Sequence, residues 1–296
     1  MGRRIAATMA AAGAVLACAP VALAGPDCVP LHTGIALSGE IDESSGLTVG
    51  GADPSVLWTH NDDGSALFAI DRVGTILGRW SIQPRLRDWE DIAAAPCPES
   101  EWCLYLADTG DNAERRPAGT IRIVRVPEPR LGDAWPVDGE VGLLRGEAFP
   151  LRLPDGPRDI EALFVLPEGE LRLVTKGRNH GVAVYRYPPP LRPDTVEMAA
   201  VQELFDGAQP LANQVTGASA SRDGSTVAVR TYQSLGLYRV AGDSLALMEN
   251  GLVNLRSLAE SQGEAVALDG GGQVLLSSEG GFLGTPPSMN ILRCGI

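Results

Sequence analysis

The chain has 296 residues, 35 of them glycine and 22 proline, and a formal net charge of −13. That acidity excludes nucleic acid as a partner, because phosphate binding needs basic patches. Turn-forming residues at this density favour many short strands over long helices.

Arg3 and Arg4 precede an almost wholly apolar run over residues 5 to 18, and Ala22-Leu23-Ala24 is an A-x-A cleavage site. Residues 1–24 therefore read as a signal peptide and 25–296 as the mature chain. The run is too short for a lasting membrane span, and no later stretch is apolar enough for one. The expected location is periplasmic or secreted. A minor alternative is a lipoprotein anchored through Cys18, in Val15-Leu16-Ala17-Cys18.

Cleavage after Ala24 leaves Cys28, Cys97, Cys103 and Cys294. An even count in an exported chain points to disulfides. Of three pairings, Cys97 with Cys103 fits a turn between strands. Cys28 is then left with Cys294, near the two ends. No linker or charge block divides residues 25–296, so one domain is expected.

Five segments repeat one theme. They begin at Ser45, Glu90, Glu161, Thr216 and Glu264, each a carboxylate or hydroxyl that runs into a small or apolar strand. The openers are 45, 71, 55 and 48 residues apart. A strand-built unit of that length is the signature of a β-propeller. The expected fold is all-β, a single propeller of five blades. Six blades would need a further opener between Glu90 and Glu161, where Asp138 to Leu144 lacks the motif.

In chain order, blade one takes Leu57–His60, Leu67–Ile70 and Ile76–Ile82 as its later strands. Blade two takes Cys103–Ala107, Ile121–Val126 and an outer strand near Val141–Leu153. Blade three takes Leu171–Thr175, Val182–Tyr187 and Val196–Leu204. Blade four takes Thr226–Arg230, Gly236–Val240 and Leu245–Leu252. Blade five has only Val274–Ser278 and Asn290–Arg293 after its opener, so Thr33 to Ile41 supplies its fourth strand and closes the ring.

Inner strands of a propeller start around the axis on one face, so the five openers form a ring. Second strands end on that face, and bring His60-Asn61-Asp62-Asp63, Asp108 to Asn112, Lys176-Gly177-Arg178-Asn179, Arg230-Thr231-Tyr232 and Ser278-Glu279. Each group has a plainer reading. Asn61 to Gly64 fits an Asx turn, Asp108 to Asn112 lacks the distal Glu of an EF-hand loop, and Lys176 and Arg230 can neutralise nearby acids. The ring is harder to explain away. Three crowded carboxylates need a cation or a shared proton, and hard oxygen donors suit calcium. Ser45, Glu90, Glu161, Thr216 and Glu264 are thus the candidate metal ligands. His32, His60 and His180 are too scattered for a zinc site or a triad.

The opener order Ser, Glu, Glu, Thr, Glu resembles the central calcium site of the calcium-activated nucleotidases, secreted five-bladed apyrases whose order is Ser, Glu, Glu, Ser, Glu. Asp88-Trp89-Glu90 and Gly263-Glu264 are also similar to that family's contexts. Glu43-Ser44-Ser45-Gly46-Leu47, Trp89-Glu90-Asp91-Ile92-Ala93 and Gly110-Asp111-Asn112 resemble motifs of a group of exported bacterial propellers, a likeness that carries no activity. The nucleotidase resemblance implies calcium-dependent hydrolysis of a phosphoanhydride or phosphoester. Asp62 or Asp108 would accept a proton from water, and Lys176, Arg178, Arg230, Asn61 and Asn112 would bind a small anionic substrate. The family's base-stacking aromatics have no counterpart here beyond Trp89 and Tyr232. A lactonase-like hydrolase is a further reading. The rival class is a non-enzymatic, calcium-stabilised monomer that binds a sugar, peptide or envelope protein. Lys176 and Arg230 pointing at solvent favour an anionic substrate, and both locked to carboxylates favour the binding module.

Overall fold

The computed structural model describes residues 27–62, 64, 66–130, 141–281 and 284–296. The expected leader, its cleavage site, Cys18 and Asp63 lie outside these. Strand β1 (Cys28–Ala36) comes first. Blade one then holds β2 (Ser44–Val49), β3 (Leu57–Asn61), β4 (Ala66–Ile70) and β5 (Ile76–Gln83). Blade two begins with β6 (Trp89–Cys97), β7 (Ser100–Asp108) and β8 (Ile121–Pro127). The outer strand expected near Val141–Leu153 is two strands: β9 (Gly142–Arg145) leaves to pair in parallel with β5 of blade one, and β10 (Glu147–Arg152) completes blade two. A Cβ at Gly142 would fall 2.2 Å from Trp80 Cδ1, so this crossing needs glycine.

Blade three repeats the device. It has β11 (Ile160–Leu166), β12 (Glu170–Thr175), β13 (Val182–Arg186) and β15 (Ala199–Phe205), while β14 (Val196–Glu197) pairs in parallel with β10 of blade two. These two short straps cover outer edges that would otherwise present unpaired backbone. Blade four is β16 (Val215–Ala220), β17 (Thr226–Thr231), β18 (Ser234–Ala241) and β19 (Ser244–Asn254). Blade five is β20 (Gln262–Leu268), β21 (Gln273–Glu279) and β22 (Ser288–Cys294), completed by β1. The closing strand thus begins five residues earlier than Thr33, at Cys28, because the Cys28↔Cys294 pair extends the β1–β22 ladder to its end.

Five sheets make five blades, and the apolar core sits between them. One buried cluster fills each interface: blades one and two around Trp58, Trp80 and Trp89, two and three around Tyr105, Phe149 and Tyr185, and so round to five and one around Ile41, Phe68 and Met289. The other two interfaces are filled around Phe164 and Val229 and around Leu237 and Leu276. Both disulfides form as read, Cys28–Cys294 and Cys97–Cys103. Covalent closure and an oxidising environment go together. No helix of the described residues is long and apolar enough to cross a membrane.

Candidate functional site

Each inner strand slips register at its opener. Ser44 pairs with Asn61 and Gly46 with His60, which leaves Ser45 without a partner. Glu90 is skipped between Trp89 and Asp91, Glu161 between Ile160 and Ala162, and Thr216 between Val215 and Gly217. In blade five the slip covers Glu264 and Ala265. A residue outside the ladder re-aims its side chain, so each opener leaves the alternation of its own strand.

All five openers are buried. The hydroxyls tie blades together: Ser45 Oγ donates to the Glu90 carbonyl at 3.0 Å and Thr216 Oγ1 to the Gly263 carbonyl at 3.1 Å. Lys176 Nζ donates to Glu161 Oε1 at 2.5 Å, and Gln262 Nε2 donates to Glu264 Oε1 at 2.7 Å. Burial pushes the Glu161 carboxyl up to about 8; Lys176 pulls it down and Asp159 pushes it up. Burial first, then the Glu161 charge, raises Glu90 and Glu264 well above the ordinary carboxylate range. Burial opposes the Lys176 ammonium, but Glu161, Tyr232 and Asp159 outweigh it and hold it charged.

A second tier lies two residues before each opener: Glu43, Asp88, Asp159, Gln214 and Gln262. All but Gln262 lie just ahead of their strands, and the sequence patterns above do not single them out. Asp159 is the most informative of these. One carboxylate oxygen of each of Glu90, Asp159 and Glu161 lies within 4.8 Å of the others, and all three residues are buried. Asp88 is raised by burial and by Asp159, Asp62 and Asp108 around it, with Arg116 opposing. Glu279 reaches about 7 through burial, Asp62 and Glu43.

The other anticipated residues divide. Asp62 belongs to the mouth, since its charge reaches both Asp88 and Glu279. Asp108 is fully buried and bound by Arg116 at 3.1 Å and Arg122 at 2.9 Å. Arg230 is fully buried, donates to the carbonyls of Ala265 and Ser277, and pairs with Glu260, an acid absent from the sequence reading. Arg178 is about one-third exposed, 3.9 Å from Asp159 Oδ2. Asn61 donates to the Glu40 carbonyl and Asp42, and Asn112 is exposed. His60 is buried with its ring stacked on Trp89, centroids 4.1 Å apart, and burial lowers it to about 4, so it is neutral at pH 7.

Just past the ring, positions Gly46, Ala162, Gly217 and Ala265 are small, whereas blade two carries Asp91. Its carboxylate accepts from Ile92 N (2.8 Å), Leu163 N (2.8 Å) and Ala218 N (3.1 Å). One side chain thus bridges the inner strands of blades two, three and four and fills the axis beneath the ring.

No protein-family model matches the chain, and no curated protein matches it. Solved structures do. The chain is similar to an aldose sugar dehydrogenase from Streptomyces coelicolor at 13% identity, with a TM-score of 0.57 over 91% of this chain and 98% of that one. It is also similar to a luciferin-regenerating enzyme at 11% identity, TM-score 0.47, over 91% and 95% of the two chains. A gluconolactonase from Xanthomonas campestris follows at 12% identity, TM-score 0.41, over 81% and 68%. The dehydrogenase supports the propeller fold, and at these identities activity does not transfer.

Proposed function

We propose that this chain is an exported calcium-binding β-propeller, with the ion held at the ring mouth and a partner bound at that face. The observation that carries the reading is the convergence, through five strand bulges, of the buried acids Glu90, Glu161 and Glu264 with the hydroxyls of Ser45 and Thr216. The donors are all oxygen, which suits a hard divalent cation. The residues also fit by a second criterion: Asp159 Oδ2 is buried and accepts no hydrogen bond. A buried oxygen without a donor is costly unless a cation or water meets it.

Binding is favoured over hydrolysis by the state of the cations. Lys176 is locked to a ring carboxylate, and Arg230 is fully buried on Glu260 and two carbonyls. Neither is turned toward an anionic substrate, and the mouth around them is strongly acidic. A sugar hydroxyl or a peptide, able to add neutral oxygens to a bound calcium ion, suits that field better. The leader expected from the sequence and the two disulfides support an exported location.

A second reading, a calcium-dependent hydrolase of a phosphoester or lactone, has two observations behind it. Arg178, 3.9 Å from Asp159 Oδ2, is about one-third exposed, and Glu161, at about 8, can exchange a proton near neutral pH. The ring order's resemblance to the calcium-activated nucleotidases points the same way. There the ion would supply Lewis-acid polarisation, with Arg178 steadying the anion.

Calorimetric titration of calcium into chelator-stripped mature protein tests the first reading, with saturable uptake of one ion expected. Heats no larger than dilution would end it. A panel of nucleotides, phosphoesters and lactones in calcium tests the second, and turnover of none removes it.

A further inference from the structure

We infer that the cation sits off the axis, held directly by Glu90, Asp159 and Glu161, with Asp159 as a ligand outside the five-residue ring. This rests on the calcium reading above and says where in the mouth the ion lies.

Calcium–oxygen bonds are about 2.3–2.6 Å long, so two oxygens on one ion lie no more than about 5 Å apart. The Glu90, Asp159 and Glu161 oxygens already lie within 4.8 Å of one another. That spacing suits three ligands on one ion.

Asp159 also has an unmatched oxygen. Asp159 Oδ1 accepts from Asp111 N at 2.9 Å, which fixes the carboxylate. Oδ2 is buried, accepts no hydrogen bond, and has Lys176 Nζ at 4.0 Å and Arg178 at 3.9 Å as its ion-pair neighbours. Lys176 and Arg178 thus face three carboxyl groups, Glu90, Asp159 and Glu161, in one buried cluster.

Blade two's loop walls the cluster in. A Cβ at Gly110 would fall 2.0 Å from Glu90 Oε1, so the backbone there lies directly on the carboxylate. Asp111, the next residue, carries the amide that fixes Asp159. The same short segment therefore covers one acid and orients another, a rigid arrangement of the kind ion sites require. Ser45 and Thr216 donate to carbonyls of the next blade, and Glu264 accepts from Gln262, contacts that brace the rest of the ring.

Terbium(III) replaces calcium as the luminescent probe, and its lifetimes in H2O and D2O count the waters on the ion. The proteins are wild type, Asp159→Asn and Glu264→Gln. Asn keeps an acceptor for Asp111 N, and far-UV circular dichroism in chelator checks each fold. The expected result is that Asp159→Asn weakens calcium binding at least tenfold and adds about one water to the terbium ion, as loss of one ligand demands. Glu264→Gln leaves the water count unchanged. An unaltered affinity and hydration in Asp159→Asn overturns the off-axis placement. So does a water gained in Glu264→Gln, an arm that stands even if the Asp159 variant fails to fold. Wild-type protein that binds neither ion instead removes the calcium reading itself.

Discussion

Lys176 Nζ lies 2.5 Å from Glu161 Oε1, and both side chains are buried. The ammonium comes from the end of the second strand of blade three and the carboxylate from the start of the first, so one blade carries both halves of the pair. Lys176→Met leaves a buried acid without its partner. Breaking such pairs costs about 3–5 kcal/mol, and protonation of Glu161 lowers that to about 2 kcal/mol. Urea unfolding in chelator should show the loss, and added calcium should shrink it by restoring positive charge.

The ring also sets a pH dependence. Glu161 holds its proton to about 8 in the folded protein, against an ordinary 4.5 when unfolded. Between those values the native state binds more protons than the unfolded chain, so stability falls as pH rises. Denaturation in chelator should therefore show a decline from about pH 5 to about pH 8. Calcium should reverse it, with affinity that increases over the same range as protons are displaced.

His60 acts in the opposite sense. Its ring is neutral and buried, and titrates at about 4 instead of 6.5. Below pH 6.5 the unfolded chain takes up a proton that the native state refuses, and stability is lost until about pH 4. The full effect is on the order of 3 kcal/mol. Of the three histidine signals in an NMR titration, one should not move until the pH approaches 4.

Asp91 serves three backbone donors on three blades. Asp91→Ala strands Leu163 N and Ala218 N in the axis and leaves a void. Each unsatisfied buried group costs about 1–3 kcal/mol, so a loss of roughly 3–5 kcal/mol is expected in urea unfolding. Asp91→Asn keeps one acceptor and should lose less.

The Cys28–Cys294 bond closes the ring between residues 266 apart. Cys28→Ser frees the closing strand and should lower stability by about 3–5 kcal/mol. Cys97–Cys103 spans only 6 residues, so its removal should matter less. Paired thermal melts check the order.

Five blades, both disulfides and the closure by an N-terminal strand were legible because each follows from a repeat, a parity or a missing strand. The straps β9 and β14 were not, since a parallel pairing with the preceding blade leaves no local pattern; only Gly142 against Trp80 marks one. The ring was legible as a recurring opener. Asp159 carries no such signal: it lies just before β11, and the register slip at Glu161 breaks the alternation that would relate the two. Glu260 and Arg116 were missed for another reason. They meet Arg230 and Asp108 through tertiary contacts, which no spacing encodes.

A calcium ion at the mouth of this propeller, as proposed, would register in a thermal melt of residues 25–296 in calcium and in excess chelator. An ion that binds only the folded state raises the midpoint, by an amount that grows with its concentration. A clear, concentration-dependent rise with calcium is expected, and Glu161→Gln should diminish it. Superimposable melts in calcium and chelator would contradict it.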